Sequence, residues 1–108
     1  SLCWSKDGEY IFSGSWDHTI RKWQSIDGKE LVVIRGHTND VSSLCLSPDG
    51  SYLVSASDDC SVRIWDLKTN QQVGDPLWHD DRVELVAMSS DGYFASDISG
   101  PDGKIHVW

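Results

Sequence analysis

The sequence is short of cations. Nine Lys and Arg stand against 17 Asp and Glu, a net charge of −8 with neutral histidines. The nine are scattered singly rather than gathered into a stripe. Nucleic-acid binding draws on clustered Lys and Arg that neutralise phosphates, so DNA and RNA are not expected partners. Long apolar runs are also missing, and nothing approaches the ~20 residues of a membrane-crossing helix; no membrane partner is expected. The cysteines Cys3, Cys45 and Cys60 are odd in number and contain no Cys-x-x-Cys pair, which argues against a disulfide framework or a zinc knuckle and for a reducing, intracellular and cytoplasmic setting. A phosphate-cradling Gly-x-x-x-x-Gly-Lys loop is absent, and no stretch keeps helical periodicity.

What is present is a repeat, centred on Gly36–Asp66, GHTNDVSSLCLSPDGSYLVSASDDCSVRIWD. Ser5-Lys6-Asp7-Gly8, Ser47-Pro48-Asp49-Gly50 and Ser89-Ser90-Asp91-Gly92 recur every 42 residues, and Asp17 and Asp59, Trp23 and Trp65, and His37 and His79 are each 42 apart. The third copy drops one residue after Gly92 and gains two around Ser99-Gly100, so Asp102 and Trp108 arrive one position late. A period near forty built from short strands points to β-propeller blades.

Turn signals cut each copy into β-branched and aromatic runs. The first copy gives strands Leu2–Ser5, Glu9–Ser15, Thr19–Gln24 and Glu30–Arg35. The second gives Val41–Ser47, Ser51–Ser57, Ser61–Asp66 and Gln71–Pro76, and the third Val83–Ser89, Tyr93–Ile98 and Lys104–Trp108. Simple alternation in Val41–Ser47 puts Val41, Ser43 and Cys45 on one face and Leu44 and Leu46 on the other. Both faces are apolar or small, as in a sheet sandwiched between neighbours. Cys3 and Cys45 share one repeat position, and Ala87 occupies it in the third copy, so it reads as a small buried site.

These residues resemble the WD-repeat family of β-propeller proteins over essentially the whole chain. The resemblance rests on Gly36-His37, Ser47-Pro48-Asp49-Gly50, the turn residues Asp17 and Asp59, Trp23 and Trp65-Asp66. It implies an all-β fold of propeller blades, each a four-stranded antiparallel sheet: blade one over 1–35, blade two over 36–77, and blade three over 78–108 without its last strand. It also implies a buried hydrogen-bond network of His, Ser or Thr, Asp and Trp in each blade. The donor and acceptor inventory of these side chains allows such a chain to close with nothing unpaired. In the second copy its members are His37, Asp59, Trp65 and either Ser55 or Ser57. Internal comparison favours Ser55, which aligns with Ser13 and Ser96. The first copy offers Ser13, Asp17 and Trp23, and the third His79, Ser96, Asp102 and Trp108. Three departures from the family pattern stand out: Trp78-His79 replaces Gly-His, Gln24 follows Trp23 where Asp is usual, and Ser99-Gly100-Pro101 lengthens the third copy's inner hairpin.

Ser55, His37 and Asp59 could be read as a nucleophilic triad. A triad needs an oxyanion hole and a pocket, however, and this constellation recurs in each copy, so catalysis is not expected. His37 and His79 are too far apart in sequence for a zinc site, and Asp58-Asp59 and Asp80-Asp81 lack a calcium-loop pattern; no metal or other cofactor is expected. The resemblance further implies a rim that binds proteins or peptides. There Trp16 and Asp58 precede the turn aspartates, with Asp40, Asp80, Asp81 and Arg82 on neighbouring loops. An exposed Trp among carboxylates suits a basic segment; the alternative is that Trp16 packs against an adjacent blade.

Closed propellers use about four to eight blades, and a shorter arc leaves apolar end faces bare. The chain therefore reads as a segment of a larger propeller, which the resemblance implies is seven-bladed and serves as a non-catalytic protein-protein interaction scaffold. Its partners then include the remaining blades of a parent chain, or other copies in a homo-oligomer that closes the ring. Two other readings stand beside this one: the repeat region of a multidomain signalling ATPase or other enzyme, and a self-assembling propeller fragment.

Overall fold

A computed structural model describes residues 1–5 and 7–89 in full, together with the backbone of the strands Phe94–Ile98 and Ile105–Val107. In the first sheet, β1 (Leu2–Trp4), β2 (Tyr10–Gly14), β3 (Ile20–Gln24) and β4 (Glu30–Ile34) pair antiparallel in sequence order. The second contains β5 (Val41–Leu46), β6 (Tyr52–Ser57), β7 (Ser61–Asp66), β8 (Gln71–Gln72) and β9 (Leu77–Trp78). In the third, β10 (Val83–Met88) pairs with β11 (Phe94–Ile98) and β11 with β12 (Ile105–Val107). Among the described residues there is no helix long and apolar enough to cross a membrane.

The fourth strand of the second copy departs from the continuous Gln71–Pro76 run that the sequence predicts. Both β8 and β9 pair with β7, with Gln72 opposite Trp65 and Leu77 opposite Val62. Between them the chain leaves the ladder at Gly74, whose φ is 69°, a left-handed conformation that costs glycine little. Pro76 follows and has no N–H to give the ladder.

Apolar clusters join the sheets face to face. Phe12, Ile20 and Ile34 of the first sheet pack against Val41, Leu44, Leu53 and Trp65 of the second. Val54, Ala56 and Val62 of the second pack against Val83 and Val86 of the third. Each large side chain sealed this way is worth roughly 1.5–3 kcal/mol of transfer free energy. The sheets also approach closely. A Cβ on Gly14 would lie 2.6 Å from Val41 Cγ1, and Val41 N–H donates to Ser15 O at 3.1 Å.

Val41 lies on the face opposite to the one simple alternation assigns it. The β5–β6 register shifts between Val41 and Ser43, and such a bulge inserts one residue and resets the alternation. Val41 thereby joins Leu44 in the first cluster. Ser43 turns to the third sheet, where its Oγ accepts from Val86 N–H at 3.3 Å. A matching shift between Val83 and Leu85 brings Val83 to the side of Val86. Ala87 lies with Leu85 on the face turned away from the second sheet, where both are exposed.

Candidate functional site: a rim of turns braced from within

The β2–β3 and β6–β7 turns and the loops after β4 and β9 all leave the sheets at one end, because successive antiparallel strands reverse direction. Beneath the second sheet's part of this rim, four side chains from different elements meet. His37 Nδ1 lies 2.8 Å from Asp59 Oδ2, and His37 Nε2 lies 2.6 Å from Ser55 Oγ. Trp65 Nε1–H donates to the same hydroxyl at 2.8 Å. A carboxylate can only accept, so Nδ1–H donates to Asp59. In the neutral imidazole Nε2 is then left to accept from Ser55 O–H.

Asp59 is further tied by its own turn. Ser61 N–H and Oγ–H donate to its Oδ1 at 2.9 and 2.5 Å, and Thr38 N–H donates to Oδ2 at 3.1 Å. Burial by itself would raise the Asp59 pKa. The hydrogen bonds from His37, Ser61 and Thr38 outweigh it and hold the carboxyl well below the usual range. Ser57 does other work: its hydroxyl donates to Asp40 O at 2.7 Å and accepts from Asp59 N–H at 3.0 Å, stitching loop to turn. Gly36 sits where a Cβ would come within 2.7 Å of the Trp65 ring, which gives the Gly of Gly-His a steric reason.

The first sheet repeats part of this arrangement. Trp23 Nε1–H donates to Ser13 Oγ at 2.9 Å. The Thr19 hydroxyl donates to Asp17 Oδ1 at 2.6 Å, and Arg21 Nη2 pairs with Oδ2 at 2.7 Å. The Thr19 hydroxyl bond leads the interactions that keep the Asp17 carboxyl well below its ordinary range, with Arg21 adding to it. In the third copy His79 contacts Leu77 O through Nδ1 at 3.0 Å; the Ser96 side chain, Asp102 and Trp108 lie outside the described residues, as does the Ser99-Gly100-Pro101 insertion. Ser61, Thr19, Arg21 and Arg63, whose Nη2 lies 3.9 Å from Asp59 Oδ2, are not among the residues that the sequence patterns pointed to. Their signal was available, since a hydroxyl residue and an Arg two positions later recur 42 residues apart.

Along the rim, Trp16 is 80% exposed and is not packed against a neighbouring blade. His18 Nδ1 stands 4.0 Å from Asp40 Oδ1, Asp58 N–H donates to Asp40 O at 3.0 Å, and His79 N–H donates to Cys60 O at 2.8 Å. Asp80 and Arg82 are exposed on the last of these loops, with Asp81 half-buried between them. With Val41 N–H also donating to Ser15 O at 3.1 Å, the turns and loops that carry the six candidate partner residues are joined by hydrogen bonds. Cys45 is held neutral, its thiol pushed up to about 11 by burial and the nearby Cys3. Among the described residues, no His, Cys, Asp or Glu side chains cluster as a metal site would require.

The comparisons agree with this architecture. The family model for the WD domain, G-beta repeat, matches residues 1–24 and 28–66, more than half of the chain. An uncharacterized WD repeat-containing protein of Schizosaccharomyces pombe is 47% identical over 38 residues, which are 33% of this chain and 10% of that protein. Two solved structures, one of U3-55K and one of the RRP9 WD40 repeats, each align with a TM-score of 0.85 and 29% identity. Each covers 99% of this chain, which spans 32% of that chain's length. The chain belongs to the WD-repeat family of β-propeller proteins.

Proposed function

We propose that the chain is a non-catalytic interaction platform whose rim, from Trp16 through Asp40 and Asp58 to Asp80, Asp81 and Arg82, receives basic protein or peptide segments. WD repeats generally serve as protein-interaction platforms. The observation that carries the finer reading is the continuity of the rim. Val41 N–H bonds to Ser15 O, Asp58 N–H to Asp40 O and His79 N–H to Cys60 O, so an exposed indole and several carboxylates are presented on turns that are tied to one another. An indole face attracts Lys and Arg side chains, and the surrounding acids add charge complementarity.

The same geometry supports a bracing role for His37, Ser55, Asp59 and Trp65 rather than catalysis. Ser55 has 0% exposure and the His37 side chain 0%, so a substrate carbonyl has no path to the hydroxyl. The Ser55 oxygen is also engaged by the Trp65 indole. An intracellular, cytoplasmic setting is in keeping with three free cysteines among the described residues.

The test is a peptide array probed with the purified chain and with a Trp16→Ala/Asp58→Ala variant. Peptides rich in Lys and Arg are expected to be retained by the chain and released by the variant. Retention of the same set by both would overturn the assignment of the rim.

A further inference from the structure

Where the first blade's turn meets the second blade's loop, the rim carries a titratable pair. His18 stands at the tip of the β2–β3 turn, just after Trp16 and Asp17, with a φ of 74°. Its Nδ1 lies 4.0 Å from Asp40 Oδ1 on the loop after β4, and the two side chains are 47% and 49% exposed. The Val41 N–H bond to Ser15 O holds turn and loop side by side. The other charged groups at this joint are engaged elsewhere or belong to the next turn. Asp17 accepts from Thr19 and pairs with Arg21, His37 is sealed against Asp59, and Asp58 reaches the joint through its N–H bond to Asp40 O. Among the described residues, His18 is the one cationic side chain within ion-pair distance of the Asp40 carboxylate.

The repeat sets this pair apart. Forty-two residues on, Cys60 takes the place of His18 and Arg82 that of Asp40. The two turns share their backbone, with φ of 74° and 72°, so the fold does not require an imidazole at the tip. At the second joint the loop brings a guanidinium close enough to act on the Cys60 thiol, and an imidazolium there would meet like charge. The histidine stands at the joint whose loop offers a carboxylate.

We propose that His18 gates the rim by pH, leaving Asp40 to a basic segment when neutral and claiming it when protonated. This rests on the rim being the site for basic segments. Imidazole is the side chain that ordinarily changes charge between pH 5 and 8, whereas carboxyl groups ordinarily do so near pH 4. Protonation places a cation beside Trp16 and pairs it with Asp40, and both effects oppose an incoming Lys or Arg. An exposed ion pair of this kind shifts an equilibrium by no more than about fivefold. By linkage, a bound basic segment makes His18 harder to protonate.

The experiment is a fluorescence-anisotropy titration of the purified chain with a labelled Lys-Arg-Lys-Arg-Lys peptide at pH 7.5 and pH 5.5, at constant ionic strength. Circular dichroism at both pH values checks that the fold is kept. Affinity is expected to drop about three- to fivefold at the lower pH. His18→Asn suits the left-handed backbone of the tip and should show less than half of that drop. His79→Gln, at the rim's other histidine, should keep it. In an NMR titration of the imidazole resonances, saturating peptide should move the His18 midpoint to lower pH, a shift that a purely structural histidine would not show. Equal affinity of the unaltered chain at the two pH values, a drop of which His18→Asn retains more than half, or an unmoved midpoint overturns the gate alone. Absence of binding at both pH values overturns the gate together with the rim on which it rests.

Discussion

Asp59 illustrates how a single residue can be costly and stabilising at once. Its side chain is 2% exposed, so its charge is tolerable only because His37, Ser61 and Thr38 all donate to it. Removing the acceptor should be severe: Asp59→Ala leaves several buried donors of His37 and Ser61 unsatisfied at about 1–3 kcal/mol each, and is expected to lose about 3–5 kcal/mol in urea unfolding. Ser55→Ala strands the Trp65 N–H and His37 Nε2 and should cost about 1–3 kcal/mol. An unfolding midpoint unchanged by either substitution would contradict the bracing role. The pH dependence follows from the sign of the Asp59 shift. A carboxyl depressed in the folded state binds fewer protons than in the unfolded state, so its contribution is full above the unfolded value of about 4 and is lost as pH falls toward the folded value. Stability should therefore decline from about pH 4 downward, and Asp59→Asn should make that decline shallower.

Among the elements, the tight β2–β3 and β6–β7 turns carry backbone strain. His18 and Cys60 hold φ of 74° and 72° at equivalent places in the repeat, a region that costs residues with a Cβ about 1–2 kcal/mol. Glycine relieves that strain but loses more chain entropy on folding, about 0.5–1 kcal/mol. Cys60→Gly should therefore stabilise the chain by about 0.5 kcal/mol, read as a rise in melting temperature; a fall would show that the thiol contributes packing that its partial exposure does not suggest. Strand order and turn placement were legible from the recurring Asp-Gly and Ser-x-Ser-x-Asp patterns. The bulge at Val41 was not, because Val-Ser-Ser-Leu is compatible with either register in isolation. Only the pairing of Ser43 with Ala56 and the packing of Val41 beneath Gly14 select one.

For the whole molecule, the far face of the first blade is the conspicuous surface. Cys3 packs toward the second blade, so alternation turns Leu2 and Trp4 the other way, where they are 71% and 59% exposed. Exposed apolar faces promote association. The chain is expected to self-associate as its concentration rises, and Leu2→Ser/Trp4→Ser should shift it toward monomer in light scattering behind a sizing column. Equal masses for the two proteins at every concentration would exclude this face as the contact.

The period of 42, the order of the turns and the second copy's His37, Ser55, Asp59 and Trp65 were legible in the sequence alone, because a repeat restates its requirements, whereas the Thr19, Arg21 and Ser61 bonds to the turn aspartates were not. His37, Ser55, Asp59 and Trp65 could be picked out since a donor-only indole, a hydroxyl, an imidazole and a carboxylate recur together. Tertiary structure decided the rest. It placed Gly36 against the Trp65 ring, set Arg21 beside Asp17 and its counterpart Arg63 near Asp59, and left Trp16 in solvent. It also set Lys22 on Tyr10 beside an apolar cleft. The physical reason is one of range: strand period and turn chemistry act over a few residues, whereas each of these contacts joins elements that meet only after the sheets have formed and stacked.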